Sequence, residues 1–559
     1  MRRSGFGATA PIGWFATAGL ILVVAVPFSF VVLQGIFPNL GAGSFAKPFS
    51  ALVATLGDRA LLAMTGHTLV LGFGVVLFSA CLAVPLGVAR ALYKIPLAPL
   101  WDVMLLVPFM VPPYIATLGW IMALEPRGYL EQIVGFNLAP LLFSLPGMIV
   151  VMTMNTLPVV YFAVSRTVEA VGSRYADVGR VFGATPARAF WRVTFPLSLP
   201  GLAAGLMLVF AAAIEEYGAP AALGGRTHFQ VLVTGIDLRV SDWPIDLPGA
   251  AILSLTLVTL ALLSFLGQRW ILQRRSYETT GGKPQNKDKR PLGALTVPVL
   301  LGFGTIAMLA TVLPLAAIAT TALCRTISGG LHVSNLTWAN FLAVFQDSAG
   351  ALDALLTSLA LGVGTALVTG LLGLIAAYTT VKTKFRGRMA LDIMTILPNA
   401  LPGVVVAVGL ILAWNWPGLP ITPYNTPFIL LLAYCCILLP QPVRYTTAAF
   451  QQIGDNLEAA ARVCGASPVT AFRRIMLPLV LPSLATSMLL VFAVASRELV
   501  ASIVVAPVGT ETIATFIWRQ FEQGSIGLGM AMAFIAIVIT TLLPLCLVGL
   551  LRKVTVVEH

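Results

Sequence analysis

The chain has 559 residues, of which 58% are hydrophobic and only 10% are charged, with a formal net charge of +12. Soluble globular proteins carry about 25% charged residues, so this composition excludes that class and predicts an integral membrane protein. The basic side chains stand in short clusters between apolar runs, for example Lys382 to Arg388. This pattern is typical of cytoplasmic loops and argues against a nucleic-acid partner.

Apolar runs long enough to cross a membrane predict about twelve transmembrane helices, in two sets of six. The first run, about residues 12–36, follows Arg2 and Arg3 and is too long for the core of a cleaved signal peptide. We therefore expect it to be retained as a first span, with the N-terminus in the cytoplasm. The other predicted spans centre near about residues 78, 110, 152, 206 and 257, and then near about 307, 366, 402, 438, 490 and 538.

The polar segment 273–290, rich in Gly and Lys, divides the chain into a first half, residues 1–272, and a second half, residues 291–559. It predicts a solvated cytoplasmic linker. Because each half has an even number of spans, both halves keep one orientation and form a parallel repeat. The predicted fold class is therefore an all-α integral membrane protein with two parallel six-helix repeats.

The two halves also repeat in sequence, most visibly in their third apolar runs. Because proline removes a backbone hydrogen bond inside a helix, the repeated prolines predict matching kinks. The residues leave open whether the kinks bend lipid-facing helices or helices beside a transport pathway. The matching positions are Asp102 and Asp392, Pro108 and Pro398, Pro112 and Pro402, and Gly119 and Gly409.

An amphipathic segment separates the fourth and fifth spans of each half, at about residues 170–196 and 452–478. We call these the first and second docking loops and predict that both are cytoplasmic. They align without a gap at Arg180 and Arg462, Gly183 and Gly465, Ala184 and Ala466, Pro186 and Pro468, Phe190 and Phe472, and Pro196 and Pro478.

The spacing within the docking loops predicts a helix, a tight turn and a second helix. Gly183 can take the left-handed conformation that ends a helix. Thr185 or Ser467 can cap the next helix, whose first position is Pro186 or Pro468. In the first loop, this shape would present Phe190 and Val193 beside Arg188 and Arg192 to a groove on another protein.

A basic amphipathic segment can instead lie on anionic lipid. The same Gly-x-[Ser/Thr]-Pro motif occurs in both docking loops, which favours a docking element of defined shape over that alternative.

These segments resemble the EAA loop of permease subunits of ATP-binding-cassette importers of the type I fold. The resemblance covers nearly the whole chain, as two fused permease domains. Asp177 stands where the family's Glu is usual, whereas the second loop has Ala459 there and Glu458 one residue earlier. The acidic contact of the second loop therefore departs from the family pattern, which suggests that the two docking contacts differ.

The resemblance implies a membrane permease subunit rather than an enzyme. It implies alternating-access import of a small solute across the bacterial inner membrane, with both chain termini in the cytoplasm. The implied partners are two copies of an ABC ATPase subunit, which would bind ATP with Mg²⁺, a periplasmic or extracellular solute-binding protein, and membrane lipid. Fused permeases of this kind resemble those for ferric iron, 2-aminoethylphosphonate or thiamine, with ferric iron slightly favoured here.

The sequence itself supports the expectation that transport and ATP hydrolysis are carried out by different subunits. A phosphate-binding loop needs Gly-x₄-Gly-Lys-[Ser/Thr], but Gly282-Lys283 is followed by Pro284, and Tyr277 stands where the first Gly should be. ATP hydrolysis is therefore expected on a separate subunit. The six cysteines lack a CxxC spacing and the four histidines are far apart, so neither a cofactor nor a metal site is expected on this chain.

Four charged residues fall inside apolar runs, where an ionised side chain costs at least about 2.5–3.5 kcal/mol. Glu215 and Glu216 follow the first docking loop at about the same distance as Arg497 and Glu498 follow the second. We expect these four residues to form an outer gate or to line the translocation pathway. The alternative is that they lie among headgroups or act as local structural fasteners.

A secondary transporter of the major facilitator plan is the main rival, since it also has two six-helix halves in parallel repeat. That fold would carry its signature between spans two and three. The corresponding segment here, Arg90 to Ala98, is short and featureless, although Lys384 to Arg388 in the second half faintly resembles that signature.

Overall fold

The structure is a computed structural model that describes residues 10–546 except 182, 275–288, 347, 384, 543 and 545. This described part is helical almost throughout. Its extended structure consists of one parallel pair of two-residue strands, Tyr93–Lys94 with Arg290–Pro291, and an isolated bridge between Cys324 and Leu336. Most of the predicted linker, 275–288, lies outside the described residues.

Among the described residues, eight helices are long and apolar enough to cross a membrane by length and composition. They are Gly13–Ile36 (span 1), Arg59–Leu92 (span 2), Leu145–Val171 (span 4), Ala187–Glu215 (span 5), Leu247–Leu272 (span 6), Gly293–Leu323 (span 7), Ala351–Lys382 (span 8) and Val469–Ala495 (span 11).

Three bent helix pairs bring the number of candidate spans in the described part of the chain to as many as eleven. The shorter apolar helix Ile526–Thr541 coincides with the twelfth predicted span. The all-α fold class, with spans at the predicted positions, is confirmed. The bent pairs are Ala98–Met110 with Pro113–Val134 (span 3, 101°), Arg388–Ala400 with Gly403–Trp414 (span 9, 116°) and Pro427–Leu438 with Pro440–Gln452 (span 10, 44°).

The helices of spans 4 and 6 continue beyond the ranges given above. The helix of span 4 runs from Leu145 to Val181, and that of span 6 runs from Leu247 to Arg274. Short helices connect the spans. They are Ser50–Leu56, Ala139–Leu142, Gly218–Gly224, Leu232–Ser241, Ala339–Phe345, Asp455–Val463, Val500–Val505 and Ile513–Glu522, and a further short helix, Tyr129–Val134, ends span 3.

Spans 3 and 9 break at the repeated prolines, as predicted. Pro112 has φ −55° and ψ 135°, Pro402 has φ −55° and ψ 145°, and each stands immediately before the second helix of its span. The residue before each proline is extended, because the proline ring disfavours the helical conformation there. The second helix is buried from Tyr114 to Leu124 in span 3 and from Val404 to Ala413 in span 9.

Prolines also explain where the helices widen. Proline lacks the amide hydrogen, and its ring clashes with the carbonyl group one turn earlier. A π turn just before the proline lets the helix continue without that clash. Each of the five π turns in the described residues is followed two positions later by a proline. The turns are Ile21–Ala25, Phe190–Thr194, Met308–Val312, Phe472–Met476 and Val538–Leu542.

The chain forms two compact units that do not coincide with the predicted sequence halves. We call them the amino-half unit, Asp58–Gly235 with Thr259–Leu336, and the carboxy-half unit, Met1–Gly57 with Ile236–Val258 and Thr337–His559. Each unit thus contains a first span taken from the other half of the sequence. The sequence boundaries of the two halves remain a prediction.

The exchanged first spans pack against the bent spans through glycines. In the amino-half unit, a Cβ built on Gly119 would lie 2.6 Å from the carbonyl oxygen of Pro314. In the carboxy-half unit, a Cβ on Gly409 would lie 2.5 Å from the carbonyl oxygen of Pro27. Two helices that approach this closely leave no room for a side chain, which explains why glycine recurs at both positions.

The internal repeat extends to single hydrogen bonds. In the amino-half unit, the Leu232 amide donates to Thr68 Oγ1 at 2.9 Å. In the carboxy-half unit, the Ile513 amide donates to Ser358 Oγ at 2.7 Å. Both bonds join the start of a short helix to the long second span of its repeat, so the two units share one internal plan.

Candidate functional site

The first docking loop has the predicted shape. Its first helix ends at Val181, and Gly183 takes the left-handed conformation with φ 82°. Thr185 then accepts a hydrogen bond from the Arg188 amide at 3.3 Å, so its hydroxyl caps the helix that begins at Pro186. Glycine is favoured at the turn, because other residues are strained at this φ.

The second docking loop repeats this geometry. Gly465 has φ 84°, and Ser467 Oγ accepts a hydrogen bond from the Thr470 amide at 3.2 Å. Pro468 occupies the first position of the following helix, where no amide donor is needed. The helix, glycine turn, capped proline and second helix predicted from the sequence are therefore present in both loops.

The second helix of each docking loop is continuous with a span. Pro186–Ala189 passes through the π turn Phe190–Thr194 into the helix Phe195–Glu215, and Pro196 follows the π turn at the second position. The second loop joins span 11 in the same way, with Pro478 after the π turn Phe472–Met476. A force applied to either loop therefore acts on a helix that crosses the membrane.

The phenylalanine shared by the loops has different surroundings in each loop. The ring of Phe472 lies 4.9 Å from that of Tyr378, at a steep angle, and packs against a buried cluster that includes Phe450 and Met476. Phe190 is half-buried, and its ring lies 5.4 Å from that of Trp191. Phe472 thus anchors the second loop, whereas the outward presentation of Phe190 stays a prediction.

Other apolar side chains face solvent on the loops. Trp191 is 62% exposed, and Leu457, Val463 and Val469 are 48%, 88% and 58% exposed. Sequence reasoning missed Trp191, although an aromatic residue beside Arg192 is a usable signal for a protein contact. These side chains offer an apolar surface that a partner subunit could cover.

The two loops differ on their entry side. The helix of the first loop runs without a break from Leu145 to Val181. In the second loop, the preceding helix ends at Gln452 and a separate helix runs from Asp455 to Val463. The ammonium group of Lys382 donates to the Ile453 carbonyl at 2.7 Å, within this break. The corresponding residue of span 2 is Leu92, which has no such group.

The side chains of several predicted contact residues lie outside what the structure describes, although their backbone positions are given. Among the remaining predicted residues, Ala459 is exposed, and Ala184 and Ala466 are half-buried beside the turn glycines. The residues whose side chains are not described are Asp177, Arg180, Pro186, Glu458, Arg462 and Pro468.

The repeated aspartates of the third spans have different surroundings. Asp102 accepts hydrogen bonds from Arg90, at 2.7 Å from Nη2, and from the Tyr161 hydroxyl at 2.6 Å. Lys289 donates to the Arg90 carbonyl at 2.9 Å and so ties the end of the linker to the same place. In the carboxy-half unit Asp392 is exposed. Sequence reasoning did not foresee this cluster, because its members come from four separate segments.

The glutamates after the docking-loop spans occupy capping positions. The helix of span 5 ends at Glu215, and Glu216 is extended and accepts a hydrogen bond from the Gly218 amide at 2.8 Å. In the other unit, Glu498 accepts from the amides of Ala501 and Ser502 at 3.0 and 3.3 Å. Both carboxylates thus hold the start of a short helix, Gly218–Gly224 or Val500–Val505.

This arrangement agrees with the fastener alternative for Glu216 and Glu498. Glu215 and Arg497 are half-buried beside them. The role of these four residues as a gate or pathway lining stays a prediction. Within the described residues, no three His, Cys, Asp or Glu side chains are grouped so that they could hold a metal ion.

Comparison with protein families gives two matches along this chain. The family described as "Binding-protein-dependent transport system inner membrane component" matches residues 83–277 and 369–556. Each match contains one docking loop with the spans on either side of it.

Among individual proteins, the chain is similar to the ferric transport system permease protein FbpB of Actinobacillus pleuropneumoniae. The two are 25% identical over 546 residues, which cover 94% of this chain and 77% of the relative. It is 30% identical to the trehalose transport system permease protein SugB of Mycobacterium tuberculosis, over 38% of this chain and 80% of that protein. It is 28% identical to a putative 2-aminoethylphosphonate transport system permease protein, PhnV, of Salmonella paratyphi A, over 43% of this chain and 89% of that protein.

The matches favour the importer reading over a secondary transporter, since every relative named here is a transport-system permease. They also agree with the two docking loops, the paired bent spans and the multi-pass helical fold. The chain belongs to the family of binding-protein-dependent transport system inner membrane components, as a fused two-domain permease subunit of an ATP-binding-cassette importer.

Proposed function

We propose that this chain is the translocation subunit of a ferric iron importer in the bacterial inner membrane, with both termini in the cytoplasm. One copy of an ATPase subunit binds each docking loop and carries the ATP and Mg²⁺, while a solute-binding protein delivers iron on the opposite side. The observation that carries the proposal is the pair of glycine-turn loops, each continuous with a span.

The geometry suggests how ATP-driven closure reaches the pathway. When the two ATPase subunits close, they draw the docking loops with them. The helix after each loop turn passes into a span without an intervening coil, so the displacement is transmitted along the span. In the second loop, the Phe472 ring also carries the movement to Tyr378 on span 8. The spans then switch access from one side of the membrane to the other.

We infer that the two ATPase contacts are unequal. The first loop is entered by one continuous helix, whereas the second follows a break at Ile453 and Gly454. A separate helix can tilt on its hinge, so part of the ATPase movement at the second loop is absorbed there. The loops also differ at Asp177 and Ala459, the position at which the family has an acidic residue.

Ferric iron is preferred as the solute because of the extent of the similarity. The ferric relative named above aligns with 94% of this chain, through both halves. The aminoethylphosphonate relative aligns with 43% of this chain, which corresponds in length to about one of its two halves. Both support an importer, and the fused arrangement favours iron.

Glu215, Glu216, Arg497 and Glu498 are proposed to border the pathway. A Cβ built on Gly403, at the bend of span 9, would lie 3.8 Å from Glu498 Oε1. The short helix Val500–Val505, which Glu498 caps, therefore approaches the bend of span 9 at the Glu498 carboxylate. A change in the angle of the bent span would move this junction, which would make it a gate as well as a fastener.

The test is transport by the complete importer. The full-length chain, its ATPase and its binding protein are reconstituted in liposomes, and uptake of radiolabelled Fe³⁺ and of 2-aminoethylphosphonate is measured with ATP or a non-hydrolysable analogue. ATP-dependent uptake of iron is expected. ATP-dependent uptake of the phosphonate alone would overturn the choice of solute, and uptake driven by an ion gradient without ATP would overturn the importer mechanism.

A further inference from the structure

A cavity of about 690 Å³ opens on the carboxy-half unit, beside the N-terminal end of span 8. One stripe of span 8 lines it, with residues spaced three or four apart, as expected for a single helix face. Span 10 contributes Phe428 and Leu431, and the segment before and within the helix Ile513–Glu522 contributes the polar end. The stripe consists of Asp353, Leu356, Thr357, Ala360, Leu361 and Gly364.

The length of this stripe matches one leaflet of a membrane. Asp353 and Gly364 are eleven positions apart, which is about 16 Å along a helix at 1.5 Å per residue. The hydrocarbon core of a bilayer is about 30 Å thick, so the stripe covers roughly half of it. Leu356 and Phe428 are 55% and 68% exposed, so they form apolar walls open to the bilayer.

Charged groups collect at one end of the cavity. Arg519 forms an ion pair with Glu511 at 2.6 Å and donates to the Ala349 carbonyl at 2.9 Å. These two contacts use two of its five N–H groups and fix the guanidinium at the rim. Asp353 is exposed at the same rim. The cavity thus has an apolar body and a rim with one cation and two carboxylates.

The corresponding place in the amino-half unit is occupied by the stacked rings of His67 and Phe229, and we call it the filled site. The hydrogen bonds at Thr68 and Ser358 set the alignment of the two units. This alignment places His228 opposite Gly509, and it is supported because both residues have a positive φ, 52° for His228 and 80° for Gly509. In this alignment His67 replaces Thr357.

The aligned positions carry none of the charges of the cavity. The ring of His67 stacks on Phe229 with centroids 4.3 Å apart, where the carboxy-half unit has Thr357 and Thr510. In the aligned sequence, Ala63, Gln230 and Leu238 correspond to Asp353, Glu511 and Arg519.

We propose that the cavity binds one phosphatidylethanolamine molecule. Its phosphate would accept hydrogen bonds from Arg519, its ammonium group would lie against Asp353, and an acyl chain would run along span 8 between Leu356 and Phe428. An anionic lipid without an ammonium group would be disfavoured, because its negative charge would face a rim with two carboxylates and only one cation. A choline headgroup has no N–H to donate to Asp353, so the rim favours the ethanolamine headgroup.

The experiment uses native mass spectrometry of the full-length chain, released from detergent after exchange into equal amounts of phosphatidylethanolamine, phosphatidylglycerol and phosphatidylcholine. One retained phosphatidylethanolamine is expected. The double variant T357H/T510F copies the filled site of the amino-half unit, and D353N removes one carboxylate with little change of shape. Each should weaken retention at least about tenfold, the scale of one lost charge-assisted hydrogen bond or of a blocked acyl site.

Controls separate this site from general lipid adhesion. H67T/F229T, the reverse exchange in the amino-half unit, should leave retention unchanged. Soluble phosphoethanolamine should not compete at concentrations at which the lipid is retained. Equal retention of the three lipids, an unchanged T357H/T510F variant, or binding of phosphoethanolamine as strong as that of the lipid would each overturn the proposal.

Discussion

Lys382 donates a 2.7 Å hydrogen bond to the carbonyl oxygen of Ile453, at the break in the helix that enters the second docking loop. The first loop has no break at the corresponding place, and Leu92 stands there instead of the lysine. A single side chain on span 8 thus holds the hinge that distinguishes the two loops.

Lys382→Met should loosen this hinge. The variant keeps an apolar stem but loses a charged donor whose hydrogen bond is worth about 1.5–3 kcal/mol. Amide hydrogen exchange in residues 453–463 should become at least about tenfold faster. Lys289→Met is the matched control, because Lys289 also donates to a backbone carbonyl, that of Arg90, away from the second loop. Equal exchange in both variants would mean that Lys382 does not stabilise the hinge.

Gly183→Arg combined with Gly465→Arg should abolish co-purification with the ATPase subunit. No heavy atom lies within 4 Å of a Cβ built at either position, so the large side chain projects outward. The left-handed φ adds about 1–2 kcal/mol of strain at each site. Gly43→Arg, at another open glycine with φ 73°, controls for strain and charge alone. A complex that survives the double substitution would refute the assignment of the docking loops.

Gly119→Ala and Gly409→Ala should each lower the midpoint of thermal unfolding. The added methyl group would meet the carbonyl oxygen of Pro314 or Pro27 at 2.6 or 2.5 Å, and such overpacking costs about 1–3 kcal/mol. Gly304→Ala is the control, since its Cβ would meet nothing within 4 Å and alanine favours a helix. If all three variants unfold at the same temperature, the close packing of the exchanged first spans is not as described.

The double variant Glu216→Gln/Glu498→Gln distinguishes a role of these carboxylates in gating from a purely structural role as helix caps. Glutamine keeps an oxygen that can accept the amide hydrogen bonds of Gly218 and Ala501 but carries no charge. If the carboxylates border the pathway, uptake should fall while the variant reaches the membrane with unchanged thermal stability. The alanine pair, which also removes the caps, should be less stable by about 0.5–2 kcal/mol per site. Wild-type uptake in the glutamine variant would eliminate the gate.

The pH dependence of stability should carry a contribution from Glu511. Burial raises the pKa of this carboxyl above its ordinary value of about 4.3, and Arg519 offsets part of that rise. Between the unfolded and folded pKa values, the folded protein binds more protons than the unfolded chain. Its stability therefore falls as the pH rises through that interval.

Glu511→Gln lacks this titration, whereas Asp353, on the same rim, is common to both proteins. The unfolding temperature of the wild type minus that of the variant should therefore decrease as the pH is raised above the ordinary carboxyl pKa of about 4.3. Parallel curves over this range would show that Glu511 does not titrate differently in the folded protein.

Local patterns allowed much of this molecule to be predicted. Apolar runs located the spans because lipid requires about 20 apolar residues for each crossing. Gly183, Thr185 and Pro186 predicted the turn of the docking loop, since backbone conformation and helix capping depend on neighbouring residues. Pro112 and Pro402 predicted the bends of spans 3 and 9 for the same reason.

The tertiary structure decided what depends on residues far apart in the chain. Sequence periodicity could not show that Phe472 turns inward to Tyr378, because both faces of the loop helix contain apolar residues. It could not show that Pro27 packs on Gly409, or that Asp353 and Arg519 share one cavity rim, because these pairs are joined only by folding. By itself, the sequence determined the spans, their repeat and the shape of the docking loops, whereas packing between distant segments determined which side chains anchor, hinge and line a site.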